Sequence, residues 1–227
     1  MIQVTYKDHM GSDLSVVNAA RVSFGKERKA LGYTSIGGGP SIPVIHDTDK
    51  NLIKYLADHR HMSPFGHAFA SFHCRVPLYV HAQLEKHKFL RVNTISRRYV
   101  DSTPDIYMPN PFRYKAKDKK QGSTGNANKA VMHDGFDQRL AEHMDQSKEL
   151  YQEMIDRDIA PELARGWLPQ ATFTEFIWSG SLDAFSDMCK LRCANDTQLE
   201  SRMVADEISM KMEELFPVSW ESLINSY

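Results

Sequence analysis

Cysteine is scarce in this chain: three cysteines occur among 227 residues, and none belongs to a Cys-x-x-Cys pair. An odd and sparse set of this kind predicts neither a disulfide framework nor a cysteine-based metal site. The sequence also has no apolar run near the roughly 18 residues that span a bilayer. Residues 1–10 lack the apolar stretch of a signal peptide. We therefore expect a cytoplasmic protein with no membrane partner and no metal.

Excess charge of either sign is also missing. Lys and Arg number 28 and Asp and Glu 29, which gives a net charge of −1 at pH 7. A polyanion would be attracted only by local clusters of cations, so the composition argues against a nucleic-acid partner. A phosphate-binding loop is missing too, because the glycines at 37–39 are not followed by Gly-Lys-Ser/Thr.

The remaining composition is that of an ordinary globular protein, with 41% hydrophobic and 25% charged residues. No linker divides the chain, and single domains of this length are common. We expect residues 1–227 to form one domain.

The periodicity of apolar residues predicts the fold class. Apolar and polar residues alternate over 2–6 and again over 68–76, which predicts two strands. After the first half of the chain we expect helices, because apolar residues recur at helical spacing over 136–154 and 199–215. Strands gathered in one half and helices in the other favour an α+β fold over alternating βαβ units.

Local signals mark helix ends and loops. Asp13 and Thr48 precede apolar residues at helical spacing, so each is predicted to cap a helix. The stretch 77–88 begins with Pro, which suits the first helical turn, and we expect a helix through its end. Glycines and prolines predict loops at 35–43 and 103–128, and the second, with its basic run, is expected at the surface.

Cations and hydrogen-bond donors cluster at the end of the predicted helix 77–88. Their natural partners are phosphate and carboxylate, because charge-assisted hydrogen bonds are short and strong. The alternative is a solvated helix end whose lysines oppose the helix dipole. The cluster consists of Gln83, Lys86, His87, Lys88, Arg91, Asn93, Ser96, Arg97, Arg98 and Tyr99.

Two further arginines lie far along the chain. Arg192 stands among Met188, Leu191 and Cys193, where a cation needs an anionic or carbonyl partner. Arg165 follows Glu162 by three residues on a predicted helix, so an ion pair between them is the structural alternative to ligand binding.

At these residues the sequence resembles the flavin-dependent thymidylate synthases. The family signature, Arg-His-Arg, seven residues and then Ser-x-Arg-Tyr, stands here as Lys86-His87-Lys88, seven residues and Ser96-Arg97-Arg98-Tyr99. Similar segments occur in the family's order at 18–25, 61–67, 77–83, 162–169 and 191–200. The basic stretch 115–123 resembles an insert of viral members, which would place the protein in a host cytoplasm.

The resemblance implies a twisted, mainly antiparallel sheet flanked by long helices, assembled as a homotetramer with active sites at subunit interfaces. It implies conversion of dUMP to dTMP, with FAD as the cofactor and with NADPH and methylenetetrahydrofolate as co-substrates. It also implies roles for individual residues. The nucleotide would be held by Gln83, Lys86, Ile95, Ser96, Arg97, Arg98, Arg165 and Arg192. FAD would be contacted by Ser63, Lys86, His87, Lys88 and Thr94, and the catalytic residues would be Arg192, Ser96 and His87.

The chemistry agrees with these roles. Uracil C5 becomes nucleophilic when negative charge builds on the ring oxygens and N3, and a guanidinium at Arg192 would stabilise that charge. No protein nucleophile is required. We therefore interpret the three cysteines, Cys74, Cys189 and Cys193, as buried packing residues.

The chain departs from the family pattern at several positions. Lys86 and Lys88 keep the charge of the usual arginines but lose the planar fork. Thr94 stands where an acidic residue is usual, Gly66 where Glu is common and Asp196 where His is frequent. Thr94 leaves a dCMP methylase or a pyrimidine hydroxymethylase on the same fold open as an alternative. A different class, a single-stranded nucleic-acid binder stacking bases on exposed aromatic residues, is a distant alternative.

Overall fold

The protein is described by a computed structural model over residues 1–35, 41–117, 122–127 and 133–226. Within these ranges no helix is both long enough and apolar enough to cross a membrane. The strands are β1 (Gln3–Met10), β2 (Gly32–Thr34), β3 (Ile42–Val44), β4 (Phe69–Pro77), β5 (Arg91–Thr94), β6 (Tyr114–Lys115), β7 (Ser123–Thr124) and β8 (Phe173–Ser181). The helices are α1 (Asp13–Arg21), α2 (Asp47–Asp58), α3 (Leu78–Leu84), α4 (Phe136–Asp156), α5 (Pro161–Ala164), α6 (Leu182–Arg192), α7 (Leu199–Leu215) and α8 (Pro217–Asn225).

One antiparallel sheet, with strand order β1-β4-β8-β5, organises the molecule. Every second residue of β4 is buried, as the alternation over 68–76 predicts. Phe72 lies opposite Trp178 of β8, and both rings pack edge-on against Phe185 of α6, at centroid distances of 5.4 and 5.8 Å. The expected α+β class with a mainly antiparallel sheet is confirmed.

The two predicted helix caps are wrong. Ser12 is the N-cap of α1, and His46 is the N-cap of α2, so Thr48 lies inside the first turn. Asp13 caps a different helix: its Oδ2 and Oδ1 accept the backbone N–H groups of Val218 and Ser219 at 3.0 and 2.9 Å. These are orphan donors of the first turn of α8, so one buried carboxylate joins two distant parts of the chain.

The expectation that only helices follow the first half of the chain is also wrong. β8 is a nine-residue strand in that region, and its pairing with β4 and β5 makes it an inner strand of the sheet. Its inward residues alternate as period-two patterning requires. α3 ends at Leu84 rather than at residue 88, and β5 follows after a short turn.

Both predicted loops contain strands. β3 begins at Ile42 and pairs with β2, so the loop at 35–43 is shorter than expected, and its residues 36–40 lie outside the described ranges. Within 103–128, β6 and β7 form a two-stranded ladder, while Ile106 bridges to Thr172 beside the main sheet. Residues 118–121 and 128 of that prediction also lie outside the described ranges.

Candidate active site

The turn 85–90 carries the basic triplet and is pinned against the sheet. Leu90 is buried and lies directly over Gly180 of β8. A Cβ atom at position 180 would come within 2.3 Å of Leu90 Cδ2, so this close approach requires glycine or a shifted leucine. The pinned turn places Lys86, His87 and Lys88 between the end of α3 and the start of β5.

Arg192 meets this turn from the other half of the chain. It is the last residue of α6, and its Nε donates to His87 Nε2 at 3.1 Å. Its Nη2 donates to the backbone carbonyl of Gln83 at 3.3 Å. The carbonyl partner that the sequence predicts for a cation in an apolar stretch is therefore present. The fold joins Gln83 and His87 to an arginine more than one hundred residues away.

The His87 imidazole is neutral in this setting. Burial, and then the positive charge of Arg192, lower the pKa of His87 below its ordinary value. Because Nε2 accepts a hydrogen bond from Arg192, the ring proton lies on Nδ1. His87 therefore orients the guanidinium without adding a second positive charge.

A cavity of about 560 Å³ opens beside these residues, a size in the range of small-molecule sites, about 300–1,000 Å³. Gln83, Arg113, Arg192 and Asp196 contribute to its lining. Within the described part of the chain, the buried Gln83 Oε1 has no hydrogen-bond partner. A buried carbonyl oxygen without a partner is costly, so it favours a ligand that donates a hydrogen bond here.

Arg113 is a site residue that sequence reasoning missed. Its Nη2 donates to both carboxylate oxygens of Glu200, at 2.6 and 2.8 Å, and its Nε donates to Ser123 Oγ at 2.8 Å. Glu200 is 1% exposed and lies in the first turn of α7. The expected surface loop is therefore anchored at Arg113. Burial alone would raise the pKa of Glu200, but hydrogen bonds led by that of Arg113 hold it below its ordinary value.

A second cluster gathers two of the arginines assigned to the nucleotide. Arg98 Nε lies 3.1 Å from Glu162 Oε2, while Arg165 Nε donates to the Glu162 backbone carbonyl at 3.4 Å. The alternative of a Glu162–Arg165 side-chain ion pair is thus wrong, because the carboxylate pairs with Arg98. Arg98 and Arg165 are both exposed, so this cluster suits a solvated anion such as a phosphate.

The neighbouring residues hold the backbone of this segment. Ser96 Oγ accepts the Arg98 backbone N–H at 3.3 Å, and Arg97 Nη1 donates to the Ser102 carbonyl at 2.6 Å. Ile95 is exposed at the end of β5. Thr94 Oγ1 lies 3.0 Å from His81 Nε2, a histidine that sequence reasoning did not single out.

Not every predicted residue joins one of these two clusters. Lys86 and Lys88 are exposed, and Lys86 Nζ lies 3.3 Å from its neighbour Glu85. Ser63 lies in a separate short 3-10 helix, Ser63–His67, before β4. Among the described residues, no hydrogen bond or ion pair joins Ser63 to the basic turn. A Cβ at Gly66 would meet open space.

Two of the three cysteines are poor nucleophiles. Cys74 and Cys189 are buried, as expected, while Cys193 is only half-buried, which corrects the expectation for that residue. Burial raises the pKa of the Cys74 thiol to about 12 and that of Cys189 well above its usual value. These two groups are thiols at neutral pH.

Comparisons with known proteins identify the family to which the chain is similar. A family model described as "Thymidylate synthase complementing protein" matches residues 6–218. The chain is 33% identical over 213 residues to the flavin-dependent thymidylate synthase of Thermus thermophilus, covering 94% of this chain and 72% of that protein. It is 30% identical over 217 residues to that of Pseudothermotoga lettingae, covering 96% and 87%. The crystal structure of a UMP/dUMP methylase, PolB from Streptomyces cacaoi bound with 5-Br dUMP, matches with a TM-score of 0.80 at 28% identity, covering 98% of this chain and 94% of that one.

Proposed function

Because the chain belongs to the flavin-dependent thymidylate synthase family, we propose that it methylates dUMP to dTMP, with FAD as its cofactor and with methylenetetrahydrofolate and NADPH as co-substrates. The observation that carries the proposal is the junction of Arg192, His87 and Gln83 at the edge of the 560 Å³ cavity. The dUMP analogue bound by PolB supports the choice of nucleotide.

The donor set at the basic turn fits a flavin dinucleotide. Lys86 and Lys88 are exposed cations that suit phosphate oxygens, and a neutral His87 can bond a ring nitrogen or carbonyl without a charge penalty. When bound, reduced FAD supplies the hydride that completes the methyl group on uracil C5. The residues proposed to contact it are Ser63, Lys86, His87, Lys88 and Thr94.

Arg192 is the proposed electrostatic catalyst. Its guanidinium is already held by His87 and by the Gln83 carbonyl, so it needs little reorganisation when charge develops on the uracil oxygens and N3. The unpartnered Gln83 Oε1 would accept a hydrogen bond from the nucleotide, which also explains why a buried acceptor is retained. In this proposal the pyrimidine would lie beside Gln83 and Arg192 in the cavity.

Arg98 and Arg165 are the proposed phosphate ligands. Both are exposed around Glu162, and a phosphate oxygen would compete with its carboxylate for the Arg98 Nε–H and with its backbone carbonyl for the Arg165 Nε–H. Ser96, the Ile95 backbone and Arg97 would hold the nucleotide between the phosphate and the pyrimidine. Lys86 would reach either ligand from the turn.

We also propose that the active site is completed by other copies of the chain in a homotetramer. Large apolar side chains are exposed near the proposed ligand residues: Phe89 is 78%, Tyr99 80% and Trp167 63% exposed. Such a group suits burial against another subunit. Light scattering should give four chains per particle, and flavin absorbance about one FAD per chain. A monomer that binds no added FAD would contradict the assembly.

Mass spectrometry of the nucleotide product tests the reaction. The purified protein is incubated with dUMP, methylenetetrahydrofolate, FAD and NADPH, and dTMP is expected only when all four are present. A parallel incubation with dCMP tests the alternative pyrimidine, and a product heavier by one oxygen would identify a hydroxymethylase. Absence of any modified nucleotide together with absence of flavin binding would overturn the proposal.

A further inference from the structure

Thr94, His81 and Glu85 lie in a row beside the end of β5, with a hydrogen bond between the first two and a carboxylate near the ring of the second. Thr94 Oγ1 lies 3.0 Å from His81 Nε2, and His81 Nδ1 lies 3.6 Å from Glu85 Oε2. His81 is buried on α3 beneath the Phe176 ring, at a centroid distance of 4.7 Å. The Glu85 side chain is 42% exposed, so the row reaches solvent at its Glu85 end.

The charge near His81 favours one direction for the hydrogen bond between His81 and Thr94. The negative charge of the Glu85 carboxylate, 3.6 Å from His81 Nδ1, favours the histidine tautomer with the proton on Nδ1. Burial lowers the pKa of His81, with Glu85 opposing the effect, so the ring carries one proton at neutral pH. Nε2 is then an acceptor, and the Thr94 hydroxyl must donate its proton to it.

Once the Thr94 hydroxyl donates its proton to His81, it can only accept further hydrogen bonds, through its lone pairs. A carboxylate, the usual group at this position in the similar family, also offers only lone pairs. Thr94 and His81 together therefore reproduce the acceptor character of an acid without its negative charge. The serine and arginines assigned to the nucleotide follow directly after Thr94 in the chain.

We propose that His81 positions Thr94 Oγ1 as an obligate acceptor for an O–H or N–H group of the ligand bound in the active site. The inference rests on the proposed function, because it takes the ligand to be the nucleotide or the flavin bound there. Thr94 is the binding residue, and His81 is a positioning residue that acts through it. Glu85 sets the tautomer.

A set of matched variants tests this arrangement in the assembled holoenzyme. Thr94→Val keeps the shape of the side chain but removes the hydroxyl, while Thr94→Ser keeps the hydroxyl. We expect Thr94→Val to raise the KM for dUMP about tenfold with a smaller change in kcat, and Thr94→Ser to restore KM to within about twofold. If the donor belongs to the flavin, the tenfold loss will appear instead in FAD affinity, measured by flavin fluorescence.

A double-mutant cycle tests the role of His81. His81→Phe should weaken the same quantity that Thr94→Val weakens, either the KM for dUMP or the affinity for FAD. The double variant should show the same loss as Thr94→Val alone, because both changes remove the same acceptor. Circular dichroism verifies folding. If Thr94→Val does not fold, Thr94→Ala against Thr94→Ser gives the same comparison.

Unchanged KM and FAD affinity in Thr94→Val, failure of the serine to rescue, or additive losses in the double variant would each overturn the inference. Failure of the proposed function is distinguishable, because wild-type protein would then form no dTMP. A wild type that forms dTMP and loses activity in Arg192→Ala, beside a normal Thr94→Val, would reject only the role of Thr94.

Discussion

Arg192 and His87 form the contact on which the proposed chemistry depends. Arg192→Ala is expected to reduce dTMP formation roughly a hundredfold to a thousandfold, the usual cost of removing a preorganised oxyanion donor. Arg192→Lys keeps the charge but loses the fork that contacts both His87 and the Gln83 carbonyl, so it should bind dUMP partly and turn over poorly. Near wild-type turnover of Arg192→Ala would make the residue structural.

Arg192→Ala can also be tested by a measurement that does not depend on turnover. Arg192 lowers the pKa of His87, and its loss also admits water, so Arg192→Ala should raise that pKa toward its ordinary value. NMR titration of the His87 ring measures this shift. Arg165→Ala is the matched control, since Arg165 contacts Glu162 and should leave the pKa of His87 unchanged.

Single residues differ in how far sequence identifies them. Arg192 is conspicuous because a cation in an apolar stretch demands a partner, and the fold supplies one. Arg113 is hidden within a basic run, and its partner Glu200 lies 87 residues away, beyond any helical or strand period. The sequence offers one clue to the role of His81, which is Glu85 four residues later, directly after α3. The contact of His81 with Thr94 depends on the packing of β5 and could not be predicted.

At the scale of elements, the cap that Asp13 provides for α8 is open to direct test. Asp13→Ala leaves two backbone donors of the first turn without their acceptor, so the free energy of unfolding should fall by about 1–2 kcal/mol. Asp13→Asn keeps one acceptor oxygen and should lose less. Urea denaturation measures both, and equal stability of Asp13→Ala and wild type would show that water replaces the cap.

The anchor between Arg113 and α7 should make stability depend on pH. The pKa of Glu200 is lower in the folded than in the unfolded chain, so its contribution is present above the ordinary Glu value and is lost as pH falls through the folded value. Glu200→Gln leaves Arg113 without its ion pair and should cost about 3 kcal/mol near neutral pH. The difference from wild type should shrink as the pH falls below the ordinary Glu pKa of about 4.3.

Chemical denaturation of both proteins across this pH range gives the measurement. A difference that stays constant with pH would mean that the Glu200 carboxylate is not held ionised by Arg113.

A strand or helix can be predicted from sequence when one of its faces is apolar and packs against the core. The alternation over 68–76 predicts β4 because its apolar face packs on α3 and α7, and Phe72 on Phe185 of α6. The strand β8 carries the same alternation in Thr174, Phe176, Trp178 and Gly180, but a helical reading of its surroundings obscures it. Capping chemistry shows that Asp13 satisfies a helix N-terminus, yet only the tertiary fold decides which helix.

At the scale of the whole molecule, the chemistry is predicted to need no thiolate. Replacing Cys74 and Cys189 with Ala and Cys193 with Ser should leave turnover within about twofold, because burial keeps the first two as thiols. Within the described residues, no hydrogen bond joins a cysteine side chain to the side chain of Arg192 or His87. Stability should fall through lost packing. A folded, flavin-bound triple variant without activity would show that a cysteine takes part.

The position of β8 inside the sheet has a consequence for synthesis of the protein. Within the described residues β5 has only β8 as a strand partner, yet about eighty residues of chain separate them. During translation, β5 and the turn before it emerge long before the strand that orders them, and Arg192 emerges later still. A ribosome-bound chain therefore exposes an unpaired edge. Substrate and cofactor could bind to stabilise the fold only after α6 has left the exit tunnel.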